Sequence, residues 1–194
     1  MRILHLITMP VGGIRKHIQT IINDNQTSSI DYYLIHSNLD EDVAFKRTKN
    51  KLYDSLKSYL KLKIKKNPSL YDIFALIKIC IFIKRNKINL VHCHGAKAGI
   101  LGRVAAVLTK TKSVYTPHGG SLHSNRMKII ESFYILIEKQ MKSFTDFFIF
   151  ESSYSYNQFV QKIGIPKNYT INYNGININD NFDKKTNNII NIGF

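Results

Sequence analysis

Short apolar runs alternate with stripes of helical period along most of the chain. Residues 2–8 form a first apolar run, closed by a turn at 9–13 with two adjacent glycines. Ile14, Ile18, Ile21 and Ile22 then recur on one stripe, so the pattern predicts strand, turn and helix. A second strand is predicted at 30–36, a loop at 38–41 and a helix at 43–57. Between 60 and 65, Leu60, Leu62 and Ile64 alternate with Lys61, Lys63 and Lys65, which is the period of a half-exposed strand. Ser69 as a cap, with Asp72 three residues on, opens a helix that is expected to carry Ile73, Ile77, Cys80 and Ile81 inward and to end near Asn86.

The clearest unit spans residues 89–103. Ile88, Leu90 and Val91 suit a strand covered on both faces. After a short polar turn, Ala98, Leu101, Ala105 and Leu108 line one side of a helix, and Gly99, Gly102, Ala105 and Ala106 keep that side thin enough to lie close to a sheet. Further strands are predicted at 113–116, 146–150 and 169–172. A helix at 125–142 has Ile130, Phe133, Ile137 and Met141 as its inner stripe. Another is capped by Ser152 or Ser153 and stops at Gly164, before Pro166. This alternation predicts an α/β fold, a doubly wound and mainly parallel sheet over residues 1–176. Residues 177–188, rich in Asn, Asp and Lys, read as a linker, and 189–194 as the first strand of a second domain.

Composition narrows the partners. Of 194 residues 44% are hydrophobic, enough for a sizeable core, and the formal net charge is +15. Such a charge favours an anionic partner; a solvated basic surface in a lysine-rich sequence accounts for it equally well. The charge is concentrated between 43 and 66, where nine Lys or Arg face one acid, Asp54. Cys80 and Cys93 form no CxxC pair and read as buried reduced thiols. The apolar run at 73–83 is interrupted by Lys78 and too short to span a bilayer, and the run at 3–9 is too short for a signal-peptide core.

Candidate chemistry falls at the carboxyl ends of predicted strands, where ligands bind in open α/β sheets. Gly12 and Gly13 can admit a phosphate or sugar close to the backbone, or simply make a tight turn. Lys97 at a helix start opposes the dipole, a cost that a bound anion would relieve; a solvated side chain is the alternative. His118, beside Gly119 and Gly120, can hydrogen-bond a sugar or phosphate. His92 and His94 are two apart, so they point the same way on a strand and also have a spacing that suits a metal. No nearby Asp or Glu offers a further ligand, and His92 reads as a core histidine. His17 reads as structural.

The ordered series Gly12-Gly13-x-x-x-His17, His92-x-His94-x-x-Lys97-Ala98-Gly99-x-x-Gly102-Arg103, Thr116-Pro117-His118-Gly119, Glu138 and Asn174-Gly175-Ile176 resembles the amino-terminal half of the retaining family 4 glycosyltransferases of GT-B architecture. The likeness is to the bacterial members that build capsule, O-antigen or exopolysaccharide. It implies a Rossmann-like acceptor domain facing a nucleotide-sugar-binding domain, whose paired-glutamate motif is not among these residues. It further implies His118 as the catalytic residue beside the donor sugar, Gly12, Gly13 and Gly119 on the donor-phosphate side, and His94, Lys97 and Arg15 toward the acceptor. Arg15 and Lys16 stand where the family often has an acidic or amide side chain. No cofactor or metal is implied, because the nucleotide-sugar enters as co-substrate. Acceptors of such enzymes are often lipid-linked saccharides, so Lys61, Lys63, Lys65 and Lys66 are expected to hold a cytoplasmic protein at the inner leaflet. Nucleic acid is not expected, since aromatics do not interleave with the charges. The alternatives are a non-enzymatic basic binding module of the same fold and a metal-dependent hydrolase using His92 and His94.

Overall fold

The computed structural model describes residues 1–23, 29–39, 41–65, 67–118, 128–173 and 175, with the backbone alone at 128–131 and 133. Strands and helices alternate along the chain as β1 (Arg2–Ile7), α1 (Gly12–Asn23), β2 (Asp31–Ser37), α2 (Val43–Asp54), β3 (Ser58–Leu62), α3 (Tyr71–Arg85), β4 (Leu90–His94), α4 (Ala96–Thr109), β5 (Lys112–Thr116), α5 (Lys128–Ser143), β6 (Phe147–Phe150), α6 (Ser153–Ile163) and β7 (Tyr169–Ile171). The strands form one sheet in the order β3-β2-β1-β4-β5-β6-β7. Every described pairing is parallel. The order reverses between β1 and β4, which places the switch point of the sheet, the usual ligand crevice, between these two strands.

Two apolar layers hold the helices. On one face Ile18 and Ile22 of α1 and Phe45 and Leu52 of α2 pack with Ile7, Tyr32 and Leu34. On the other, Ala75, Ile79, Phe82 and Ile83 of α3 and Ala98, Leu101, Ala105 and Ala106 of α4 pack with Leu4, Leu6, Val91 and Tyr115. The small residues of α4 act as expected. A Cβ on Gly99 would stand 2.5 Å from the Tyr115 ring, and one on Gly102 would collide with Cys93 Sγ, so the helix lies against β4 and β5 with no spare layer.

Several expectations need correction. The inward face of α3 is Ala75, Ile79, Phe82 and Ile83, while Ile73, Ile77 and Ile81 are more than half exposed. This helix is apolar nearly all round, so a period of 3.6 fits two opposite faces, and the sheet takes the one with the small Ala75. Leu108 is likewise exposed, at the outer end of α4, and Cys80 is only half-buried. On α5 the buried residues are Tyr134, Glu138 and Met141; Ile137 lies at the edge of that stripe, and the side chains of Ile130 and Phe133 lie outside the described set. At α3 the cap is half made: Asp72 accepts from the Ser69 backbone N–H (2.9 Å), but the Ser69 hydroxyl has no hydrogen-bond partner. Residues 177–194, read as linker and strand, lie outside the described residues.

Candidate active site

Strands β1, β4, β5 and β6, together with α1, bring five imidazoles and a carboxylate together. His5 of β1 pairs in register with His92 of β4, and Ile7 with His94, so His5, His92 and His94 share the sheet face covered by α1. His92 and His94 have ring centroids 4.0 Å apart, as their spacing predicts. His118, just beyond β5, sits against them, and His17 of α1 closes the group from above, 5.7 Å from His94 and 5.5 Å from His118 between ring centroids.

Hydrogen bonds run through this group. Glu151, the residue after β6, lies 2.8 Å from His118 Nδ1. His118 Nε2 lies 3.0 Å from His94 Nδ1, and His94 Nε2 lies 3.0 Å from His5 Nδ1. His92 Nε2 faces the Thr116 hydroxyl at 2.9 Å. Burial pushes the His5 imidazole down to about 3, with His17 adding to the effect. Burial, and then the neighbouring histidines, hold His92 and His94 well below the usual imidazole range. The backbone of His118 is left-handed, φ +51°, a conformation that costs a non-glycine residue about 1 kcal/mol or more and is retained where surrounding contacts enforce it.

The predicted glycine turn is present. Gly12 has φ +52° and opens α1, and space is open around both Gly12 and Gly13. The Gly12 N–H is taken by Asp42, whose carboxylate also caps α2 through Phe45 N (2.6 Å). A cleft beside this turn is lined by Gly13, Lys16, His17, Thr20, Asn172 and Tyr173. Its edge is therefore built from the start of α1 and the chain after β7.

The other predicted site residues are employed differently. Arg15 pairs with Asp42 (3.2 Å) and Gln19, tying the start of α1 to α2. Lys97 is 12% exposed; it pairs with Asp72 (2.9 Å) and donates to the carbonyls of Asn67 (2.7 Å) and Lys65, so its charge is met within the protein and it fastens α4 to the start of α3. His94 is 1% exposed and lies between His5 and His118. Lys61, Lys63 and Lys65 are exposed along β3, an edge strand, and its extension; Gly119 and Lys66 lie outside the described residues. Two members of the site were not anticipated. His5 stands inside an apolar strand, and Glu151 directly follows one, the same strand-end position that singled out His118.

His5, His92 and His94 each offer one nitrogen within 4.8 Å of the others, the one such grouping among the described residues. No carboxylate or thiol stands in it. Both nitrogens of His94 and one of His92 already have protein partners, so a cation would have to break those bonds and would meet no balancing charge.

The sequence pattern of Glycosyltransferase Family 4 matches residues 11–180. The chain is 35% identical over 89 residues to the UDP-Gal:alpha-D-GlcNAc-diphosphoundecaprenol alpha-1,3-galactosyltransferase of Escherichia coli, covering 45% of this chain and 23% of that protein. It is 26% identical over 185 residues to a 41.2 kDa protein in the cps region of Klebsiella pneumoniae, covering 92% of this chain and 48% of that one. The chain thus spans half or less of the curated relatives it matches. Its fold is that of Anabaena HepE, solved in complex with UDP, with a TM-score of 0.65 and 19% identity over 91% of this chain and 44% of that one.

Proposed function

Because the chain belongs to glycosyltransferase family 4, we propose that it is the acceptor-side domain of an enzyme moving a sugar from a nucleotide-sugar to a saccharide carried on a lipid diphosphate. The observation that carries this reading is the family match over residues 11–180, joined to a cluster of polar groups at the switch point of the sheet. The E. coli relative is named for a galactosyl transfer to a diphosphoundecaprenol-linked sugar, which supports the acceptor class. The same match favours neither the non-enzymatic module nor the hydrolase.

In this reading His118 and the Gly12–Gly13 turn face the donor, and a nucleotide-sugar-binding domain completes the cleft and grips the diphosphate. Charge developing on the leaving diphosphate is the large term in such chemistry, and groups fixed before the reaction stabilise it most effectively. The acceptor lies in the cleft of Gly13, Lys16, His17 and Tyr173. Lys16, exposed on that cleft, takes the anionic contact that Arg15 and Lys97 do not offer. The anionic inner leaflet is the docking surface. Leu70, Tyr71, Ile73, Phe74, Ile77 and Ile81 form an exposed apolar face, and Lys61, Lys63, Lys65, Lys78 and Lys84 border it. Among the described residues no helix is long and apolar enough to cross a membrane.

The test is a titration of the isotope-labelled chain with N-acetylglucosaminyl diphosphate bearing a short isoprenyl tail. Saturable shifts at His17 and Tyr173 are expected. Shifts confined to residues far from this cleft, or none at all, would refute the assignment.

A further inference from the structure

The bonds Glu151–His118–His94–His5 have a direction that elementary hydrogen-bond accounting supplies. An ionised carboxylate offers only acceptors. Glu151 Oε2, 2.8 Å from His118 Nδ1, therefore requires the proton of His118 on Nδ1. A neutral His118 then presents a lone pair at Nε2, so His94 must donate from its own Nδ1 across 3.0 Å. His94 in turn presents a lone pair at Nε2, and His5 donates to it from Nδ1, again across 3.0 Å. The chain ends at His5 Nε2, which is buried and has no hydrogen-bond partner among the described residues. That end point fits the direction. A buried lone pair without a donor is tolerated better than a buried N–H without an acceptor, which is the rarer of the two in folded proteins. Running the chain the other way would put the N–H at His5 Nε2.

We propose that Glu151 and His94 are positioning residues for His118: Glu151 fixes its proton on Nδ1, His94 holds its Nε2, and the proton order runs unbroken to His5. All three rings are then Nδ1–H tautomers, the opposite of the Nε2–H form that neutral histidine side chains favour in water. Among the described residues, the other titratable groups facing these rings include His17 from α1, His92 from β4 and Tyr32 from β2, the last 5.6 Å from His5 between ring centroids. A ligand hydroxyl that takes His118 Nε2 must displace His94, so occupancy at the donor side is transmitted to β1. This last consequence rests on the donor-side reading of His118. The proton order itself does not.

The experiment is two-bond proton–nitrogen correlation spectroscopy on the whole chain labelled with nitrogen-15 at histidine, at neutral pH and without ligand. His5, His94 and His118 are expected as Nδ1–H tautomers. Glu151→Ala should return His118 to the Nε2–H form and shift His94 and His5 with it. Glu151→Gln, whose amide oxygen still accepts, should preserve the order. His36 sits in a separate setting, against Tyr53 (2.7 Å), and its unchanged signal reports that a variant is folded. An Nε2–H tautomer at His94 or His118 in the unaltered chain overturns the proposal, whether or not the variants fold. So does a folded Glu151→Ala variant in which His94 is unmoved. Because no substrate is present, a failed transfer or acceptor-binding assay leaves this result standing on its own.

Discussion

Arg103 Nη2 lies 2.8 Å from Glu138 Oε1, and both side chains are almost wholly withdrawn from solvent, at 0% and 2% exposure. The Tyr115 hydroxyl donates to the same oxygen at 3.2 Å, and its ring lies 4.0 Å beneath the guanidinium. Arg103 Nε donates to the Gly99 carbonyl at 2.8 Å. The pair thus joins α4 to α5 across the top of β5. Removing one charge strands the other in a medium that solvates it poorly, so Glu138→Ala should cost about 3–5 kcal/mol in urea unfolding. Replacing both, as Arg103→Met with Glu138→Leu, should cost less than Glu138→Ala alone. Tyr115→Phe removes one hydrogen bond and should cost about 1 kcal/mol. A single Glu138 substitution that is neutral would show the pair to be dispensable.

The buried histidines make stability sensitive to acid. Burial lowers the folded-state values of His5 (to about 3), His92 and His94, whereas in the unfolded chain they titrate near 6.5. Between those limits the unfolded state binds more protons, so stability is present above about pH 6.5 and is lost as pH falls. One such group contributes a slope of about 1.4 kcal/mol per pH unit, and three together about 4. Urea midpoints measured from pH 7 to 5 should fall steeply, and His5→Gln should reduce proton uptake on unfolding by one. A flat profile across that range would contradict the burial of these rings.

How much of this was legible in the sequence follows from which forces are local. The alternation of strands and helices is written in residue spacing, and each strand was found within a few residues. Parallel topology predicts that Gly12, Lys97 and His118 converge beyond the ends of β1, β4 and β5; His94 and His118 do meet there, but Lys97 turns aside to Asp72 of α3 and the Gly12 N–H is taken by Asp42. The inward face of α3 was not legible, because Phe74, Ile77 and Ile81 are as apolar as Ile79 and Ile83, and only packing against the sheet chooses between them. His5 was missed for a related reason. Its meaning depends on the register with His92, a contact 87 residues away. Lys97 was read from its own helix alone, whereas its partner Asp72 comes from α3.

Gly102 and Gly13 should respond differently to alanine. In a helix interior alanine is favoured over glycine by about 1 kcal/mol. At Gly102 the added methyl meets Cys93 Sγ and Leu6 Cδ2, both fully buried, and overpacking of this kind costs about 1–3 kcal/mol. The strain exceeds the propensity gain, so Gly102→Ala should lower the melting temperature, measured by circular dichroism. At Gly13 nothing lies within 4 Å of the added carbon, so Gly13→Ala should leave stability within about 0.5 kcal/mol of the parent. Equal effects at the two positions would mean that α4 does not lie as close to the sheet as described.

The exposed face of α3 leads to the last prediction. Tyr71, Phe74, Ile77 and Ile81 are each at least half exposed on a helix whose other face is core. Phe74 and Tyr71 border a groove shared with Lys61, Lys63 and Lys78, and Ile77 and Ile81 border another with Lys84. An apolar strip rimmed by lysines matches an anionic bilayer, which offers acyl chains below and phosphates around. Two contributions should then separate in a vesicle sedimentation assay. Each basic residue near the surface adds about 1 kcal/mol at low salt, an attraction screened within a Debye length, so Lys61→Gln with Lys63→Gln and Lys65→Gln should weaken the preference for phosphatidylglycerol over phosphatidylcholine, Lys78 and Lys84 keeping the remainder. Apolar insertion is insensitive to salt, so Phe74→Ser with Ile77→Ser should remove the binding that persists at high salt, while stability changes little because neither residue is in the core. Binding that is equal on neutral and anionic vesicles and unmoved by either variant would remove the membrane from the proposal. A concentration-dependent dimer lost in the Phe74→Ser, Ile77→Ser variant would assign the same face to a second copy of the chain instead.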